Sequence, residues 1–180
     1  TMHILRMFLC LSMALGFLAC GKPAVECRQV YGLDGKIQIG LPSGWNEMPE
    51  LHASADIEVG SEAADAYFLV VSEPKGKLPK ETLEDYSIYT RQGLEKSLDF
   101  PQDLGPRRLK INGIPALQYE IRAYGKSGNK LVYLHTVMET PEYFHQIVGW
   151  TTPEGFKQNG AVLKSLTESF RENAVPATPK

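Results

Sequence analysis

An α+β domain, built as an α/β/α sandwich around a mainly antiparallel central sheet, is the fold class this sequence predicts, on three observations. Residues 108–151 read as four successive strands joined by short turns, the pattern of an antiparallel meander. Two segments with apolar residues at three-to-four-residue spacing, one starting at Thr82 and one at Thr152, read as helices on either side of that meander in the chain. Ala66 to Val71 (AYFLVV) is apolar on both faces, which marks a central strand covered from both sides. One sheet between helical layers is the simplest arrangement that satisfies all three. The size and balance of the chain, 180 residues with 43% hydrophobic and 22% charged, fit one globular domain and exclude a disordered or collagen-like chain.

The elements follow in chain order. Residues 1–19 carry His3 and Arg6 and then an uncharged apolar run, MFLCLSMALGFLA, over 7–19. At 1.5 Å rise per residue this run covers about 20 Å, short of the ~30 Å hydrocarbon core, so it reads as a signal peptide rather than a spanning helix. It ends in Gly16-Phe17-Leu18-Ala19-Cys20-Gly21, which resembles the lipobox of bacterial lipoproteins, with a small residue before the modified cysteine. Phe17 stands where that pattern prefers Leu, Val or Ile. The resemblance implies that Cys20 is lipidated and anchors the chain to a membrane. Gly21 in place of the Asp that retains lipoproteins in the inner membrane implies the outer membrane, facing the periplasm. An ordinary secretory signal cut after Gly21 is the alternative.

Residues 20–35 lack periodicity and read as the lipidated cysteine and a tether, with Cys27 as an unpaired surface thiol. The folded domain is expected over 36–172 and a disordered tail over 173–180. Ile37, Ile39 and Leu41 alternate with polar or small residues, predicting a half-buried strand, and Pro42-Ser43-Gly44 turns the chain in front of Trp45. A weaker strand is expected over 54–60. After the Ala66–Val71 strand comes a loop from Glu73 to Lys80, then a helix to about Leu98 with Thr82 as N-cap and Asp85 at N3. After Pro101 and Pro106 a run of strands is expected. Arg108–Ile111, Asn112-Gly113 and Ile114–Tyr124 read as a hairpin, because Asn-Gly suits a type I′ turn. Lys130–Met138 and Tyr143–Thr151 complete the meander, and Thr152-Pro153 caps the closing helix.

Five stretches, IQIGLPSGWNE, YFLVVSEPKGKLPKETLEDYS, LKINGIPALQYEI, LVYLHTVMETPEYFHQIVGWTTPEGF and LKSLTESFRE, resemble the PsbP-like superfamily over about residues 36–172. That superfamily includes the photosystem II extrinsic protein PsbP, the Ran-binding Mog protein, and bacterial envelope lipoproteins of the DcrB and LpqN types. The resemblance implies a mainly antiparallel sheet between helices, a role in binding other proteins, and no shared catalytic site.

Chemical motifs are sparse. The sequence has no G-x-S-x-G, H-E-x-x-H, P-loop, G-x-G-x-x-G or C-x-x-C. Ser72 and Lys75 match S-x-x-K, but Pro74 and the strand end break the helical geometry that motif needs. His135 and His145 flank the Thr140 turn, so in a hairpin they are cross-strand neighbours or one register off. A metal would need a third ligand beside them, with Tyr133, Glu139 and Tyr143 nearby. Lys75, Lys77 and Lys80, with Arg107, Arg108 and Lys110, interleave with Glu73, Glu81, Glu84 and Asp85 as a solvated face. The net charge of -2 argues against nucleic acid as a partner. The expectation is therefore a lipid-anchored bacterial envelope protein, not an enzyme and without a cofactor, whose domain binds another envelope protein. Two alternatives stand beside it. One is a module for a small apolar ligand or lipid, which needs a pocket lined by Tyr and Leu between sheet and helix; the other is a metal-assisted hydrolase, which needs His135 and His145 to converge.

Overall fold

A computed structural model describes residues 27–77 and 82–173. The segment expected as a signal peptide, Cys20, Lys80, Glu81 and residues 174–180 lie outside the described residues. In chain order the elements are strands β1 (Arg28–Gly32), β2 (Ile37–Leu41), β3 (Asn46–Glu47), β4 (Ile57–Ser61) and β5 (Ala66–Pro74). Helix α1 (Leu83–Lys96), strands β6 (Asp99–Ile111), β7 (Ile114–Tyr124), β8 (Lys130–Glu139) and β9 (Tyr143–Thr151), helix α2 (Pro153–Ser169) and strand β10 (Arg171–Glu172) follow.

The main sheet has seven strands in the order β3-β4-β5-β9-β8-β7-β6, every pairing antiparallel. Its inner strands bury alternate residues on opposite faces. Phe68, Val70, Leu134, Met138 and Ile147 join a core with Leu163 and Leu166 of α2, while Leu69, Val71, Tyr133, Val137 and Val148 join a second core with Leu83 and Tyr86 of α1. The helices therefore cover opposite faces, which is the expected sandwich.

Both helices start as their sequences dictate. Thr82 Oγ1 accepts from the Asp85 amide at 3.1 Å, and Thr152 Oγ1 accepts from the Gly155 amide at 3.1 Å with Pro153 at the first helical position. Each cap satisfies a donor that the first turn leaves without an intrahelical acceptor.

Four expectations change. The segment 28–35, expected as tether, is folded: β1 pairs with β2 through Arg28↔Leu41 to Gly32↔Ile37, and Val30 is buried. Its turn places Leu33, Asp34 and Gly35 at positive φ, and Gly32 passes so close to β4 that an added Cβ would stand 2.5 Å from the Asp56 carbonyl oxygen. The β2 strand does not join the main sheet; β1, β2 and β10 form a separate three-stranded sheet beside α2. Asn173, expected in the tail, is tied back by its amide to the Lys36 carbonyl and by its side chain to the Gly35 carbonyl, both at 2.7 Å. Finally, Pro101 and Pro106 sit inside β6. That strand is the edge of the sheet, where missing N–H groups cost no ladder bonds, and its register shifts between Asp99 and Gln102 and between Leu104 and Arg107 bracket the two prolines.

Candidate functional site

The two histidines do not converge. The β8–β9 register pairs His135 with Val148 and Met138 with His145, so the histidines are three positions out of register. An odd offset puts them on opposite faces of the sheet. The hairpin is centred between Glu139↔Phe144 rather than on Thr140, and that shift separates them. Each is fully buried. His135 lies under α1 with its Nε2 3.2 Å from Gln146 Nε2, and burial, with the nearby Arg91 charge adding to it, pushes its pKa down to about 3. His145 faces the α2 layer with Nδ1 3.0 Å from Ser72 Oγ, and burial pushes its pKa down to about 4. Its Nε2 stands 3.6 Å from Glu172 Oε1, beyond hydrogen-bond length, so the neutral imidazole gains little from that carboxylate. Neither histidine has a hydrogen-bond partner on its second ring nitrogen among the described residues. Ser72 lies inside β5, two residues before its end, with Lys75 in the 3-10 turn beyond, so it is not a helix start, and Lys75 pairs with Glu139.

The surface with room for a ligand lies on the α1 side of the sheet. There α1 seats only its first half: Leu83, Tyr86, Ser87 and Thr90 are buried, whereas Leu94 is half-buried and Tyr89 is 52% exposed. The second half stands off the sheet and leaves a cleft of about 770 Å³. Leu69, Val71, Val148 and Tyr133 form an apolar floor, and Tyr89, Leu94 and Trp150 rise around it. Tyr67, Trp150 and Tyr133 are cross-strand neighbours on three adjacent strands, with ring centroids 5.4 and 6.2 Å apart and planes within 25°. Polar groups line the cleft's edges, the helix side and one floor position: His52 and Ser54 on the loop before β4, Glu73, Lys96 and Ser97 at the ends, Thr90 and Gln92 on α1, and Gln146 in front of the buried His135. Gly93 lines the cleft, and a Cβ built there meets nothing within 4 Å. A side chain would occupy space that the glycine keeps open.

On the strands, Phe144, Tyr119 and Tyr133 are core, while Tyr67, Tyr143 and Trp150 retain partial exposure. Tyr89 lies on α1 outside its buried residues, so helical periodicity alone does not single it out. Among the described residues no three metal-ligating side chains gather, and no helix is long and apolar enough to cross a membrane.

No protein-family model matches the chain, and no curated protein matches it. Solved structures do. The chain is similar to cyanobacterial PsbP from Synechocystis sp. PCC 6803, with a TM-score of 0.60 and 14% identity over 88% of this chain and 99% of that one. It is similar to LpqN of Mycobacterium tuberculosis, described as involved in cell envelope biogenesis, with a TM-score of 0.59 and 14% identity over 82% of this chain and 90% of that one. The Saccharomyces cerevisiae Ran-binding protein Mog1p matches with a TM-score of 0.55 and 10% identity over 83% of this chain and 96% of that one. Likeness at these identities is likeness of fold, and it extends over nearly the whole of each neighbour.

Proposed function

From the premise of a PsbP/Mog-like fold, we propose that this chain is a lipid-anchored bacterial envelope protein whose non-catalytic domain binds another envelope protein through the cleft beneath α1. The observation that carries the reading is the cleft itself: an apolar floor open to solvent, with Tyr89 and Trp150 presented as amphipathic anchors at its rim. Ran binding by Mog1p supports a protein partner, and the envelope role of LpqN supports the compartment. Cys20 supplies the anchor, seven positions before the first described residue.

The test is photo-crosslinking in the host envelope, with a photoreactive residue replacing Tyr89 in the full chain. One discrete protein adduct, lost when Gly93→Phe fills the cleft, is the expected result. An absence of protein adducts, or adducts that Gly93→Phe leaves unchanged, overturns it. Labelled-palmitate incorporation that disappears in Cys20→Ser tests the anchor separately. A second reading is favoured by the volume, which falls in the ~300–1,000 Å³ range of small-molecule sites. In that reading the occupant is a small apolar ligand or lipid, and the Tyr89 adduct has the mass of a small molecule.

A further inference from the structure

One polar side chain stands within the apolar floor of the cleft rather than at its edge. Gln146 sits on β9 with Val71 of β5 and Val137 of β8 as its cross-strand partners, and Phe144 and Val148 are its neighbours on the same face of its own strand. A half-buried carboxamide in such surroundings costs stability unless its polar atoms find partners.

Half of that requirement is met from within. His135 lies diagonally across the β8–β9 pair from Gln146, fully buried, with its Nε2 3.2 Å from the amide nitrogen. Burial keeps the imidazole neutral, its pKa pushed down to about 3, so Gln146 Nε2 donates to a lone pair on the ring. With the nitrogen turned to the histidine, the oxygen is turned to the cleft that Gln146 lines. No described residue donates to that oxygen, and it is not among the buried polar atoms.

The cleft therefore offers one oriented acceptor on an apolar floor, reached past the rings of Tyr89 and Trp150. A carboxylate would set oxygen against oxygen there. A cation would lose its water over the apolar floor and meet the field of Arg91, which already acts on the adjacent His135. A neutral donor at the tip of an otherwise apolar group satisfies both acceptor and floor. Among protein side chains the tyrosine hydroxyl fits that description: serine and threonine bring little apolar body, and the tryptophan N–H lies on the ring edge rather than at its tip. We infer that Gln146 selects the partner by accepting a hydrogen bond from a tyrosine hydroxyl that the partner inserts into the cleft, an inference that rests on the reading of the cleft as a protein-docking site. The inserted ring lies against Leu69, Val71 and Val148, and His135 is a positioning residue that holds the amide.

The test titrates the full chain in lipid nanodiscs with three single-residue probes, following the NMR signals of the Trp150 indole N–H. N-acetyltyrosinamide is expected to bind roughly tenfold more tightly than N-acetylphenylalaninamide or the O-methyltyrosine analogue, which keeps the oxygen but has no hydrogen to give. Gln146→Leu is expected to bind all three alike, at the strength of the phenylalanine probe. That substitution orphans His135, so His135→Leu/Gln146→Leu, which leaves neither partner behind, is measured beside it. Retained binding of the phenylalanine probe separates a lost hydrogen bond from a lost fold. His135→Leu alone, which lets the amide turn, is expected to shrink the preference for tyrosine. The inference is overturned by equal binding of the tyrosine and phenylalanine probes, by an O-methyl probe that binds as well as tyrosine, or by a preference that survives Gln146→Leu or is untouched by His135→Leu. A tyrosine preference with no protein adduct at Tyr89 overturns the docking reading, whereas a protein adduct without the preference overturns this inference alone.

Discussion

Acidification should destabilise this domain through His145, and replacing His145 should remove a defined part of the pH dependence. The imidazole is fully buried among Ser72, Tyr143 and Phe170, with its pKa pushed down to about 4. In the unfolded chain it titrates near 6.5. Between those two values the unfolded state binds a proton that the native state refuses, so stability is retained above about pH 6.5 and falls as the pH drops toward 4. At ~1.4 kcal/mol per pH unit, His145 alone costs about 3 kcal/mol by pH 4. Glu172, at 3.6 Å, is the facing carboxylate, and Lys36 bonded to Tyr143 is the nearby cation. The assay is urea unfolding at intervals from pH 7.5 to 4.5, comparing the natural chain with His145→Gln. The variant starts lower at neutral pH, because the Ser72 contact is disturbed, but its stability falls less steeply on acidification. Taking the difference cancels the carboxylates common to both. Parallel pH profiles would refute the argument, since they would mean that the native imidazole accepts its proton at no cost.

Other substitutions probe packing and the cleft. Gly93→Ala should stabilise the domain by about 0.5–1 kcal/mol, since a helical glycine is replaced where the new methyl meets open space; a thermal melt checks it. Gly32→Ala should destabilise by more than ~2 kcal/mol in urea titration, because the methyl would collide with the backbone of Asp56 and with the buried Ile57 side chain. Thr152→Ala should cost about 1 kcal/mol through the lost acceptor at the start of α2. His135, with its pKa near 3, should add a further acid-sensitive loss that continues below the window of His145, so His135→Gln in the His145→Gln background should flatten the profile between pH 4 and 3.

Local chemistry made much of the architecture legible. The Asn112-Gly113 dipeptide required positive φ at both positions, and the chain has +50° and +84° there. The period-two pattern of Ile37, Ile39 and Leu41 marked a strand with one buried face, and all three are buried. Partnership was another matter. Nothing near Ile37 says that it pairs with Glu172, because that pairing joins the two ends of the folded chain. The side chain of Asn112, chosen by its turn, also donates to the carbonyls of Glu168 and Phe170, a contact 56 and 58 residues away that no local pattern encodes. His135 and His145 show the sharper limit. Symmetry about Thr140 made them neighbours, and a small shift in the centre of the turn carried them to opposite cores. The cleft was invisible for a related reason: the helical stripe Leu83, Tyr86, Thr90 and Leu94 marks the face that α1 turns to the sheet but not how far its second half stands away.

The small sheet gives the domain a mechanical character. Its middle strand, β2, holds β1 from the amino-terminal end and β10 from the carboxy-terminal end, so both ends of the folded chain are fastened to the same five residues. A pull on Cys27 along the direction of β1 loads the five β1–β2 pairs together, in shear. Tension then passes from β2 into α2 through the Gly40 amide, which donates to Ser169 Oγ at 2.9 Å, and into the main sheet through the apolar contacts behind it, the Lys36–Tyr143 hydrogen bond and the Arg28–Glu47 ion pair. The cleft lies beyond that clasp, on the opposite side of the main sheet from β2. A pull at the amino-terminal end must therefore shear the β1–β2 pairs before the strands that floor the cleft are drawn apart.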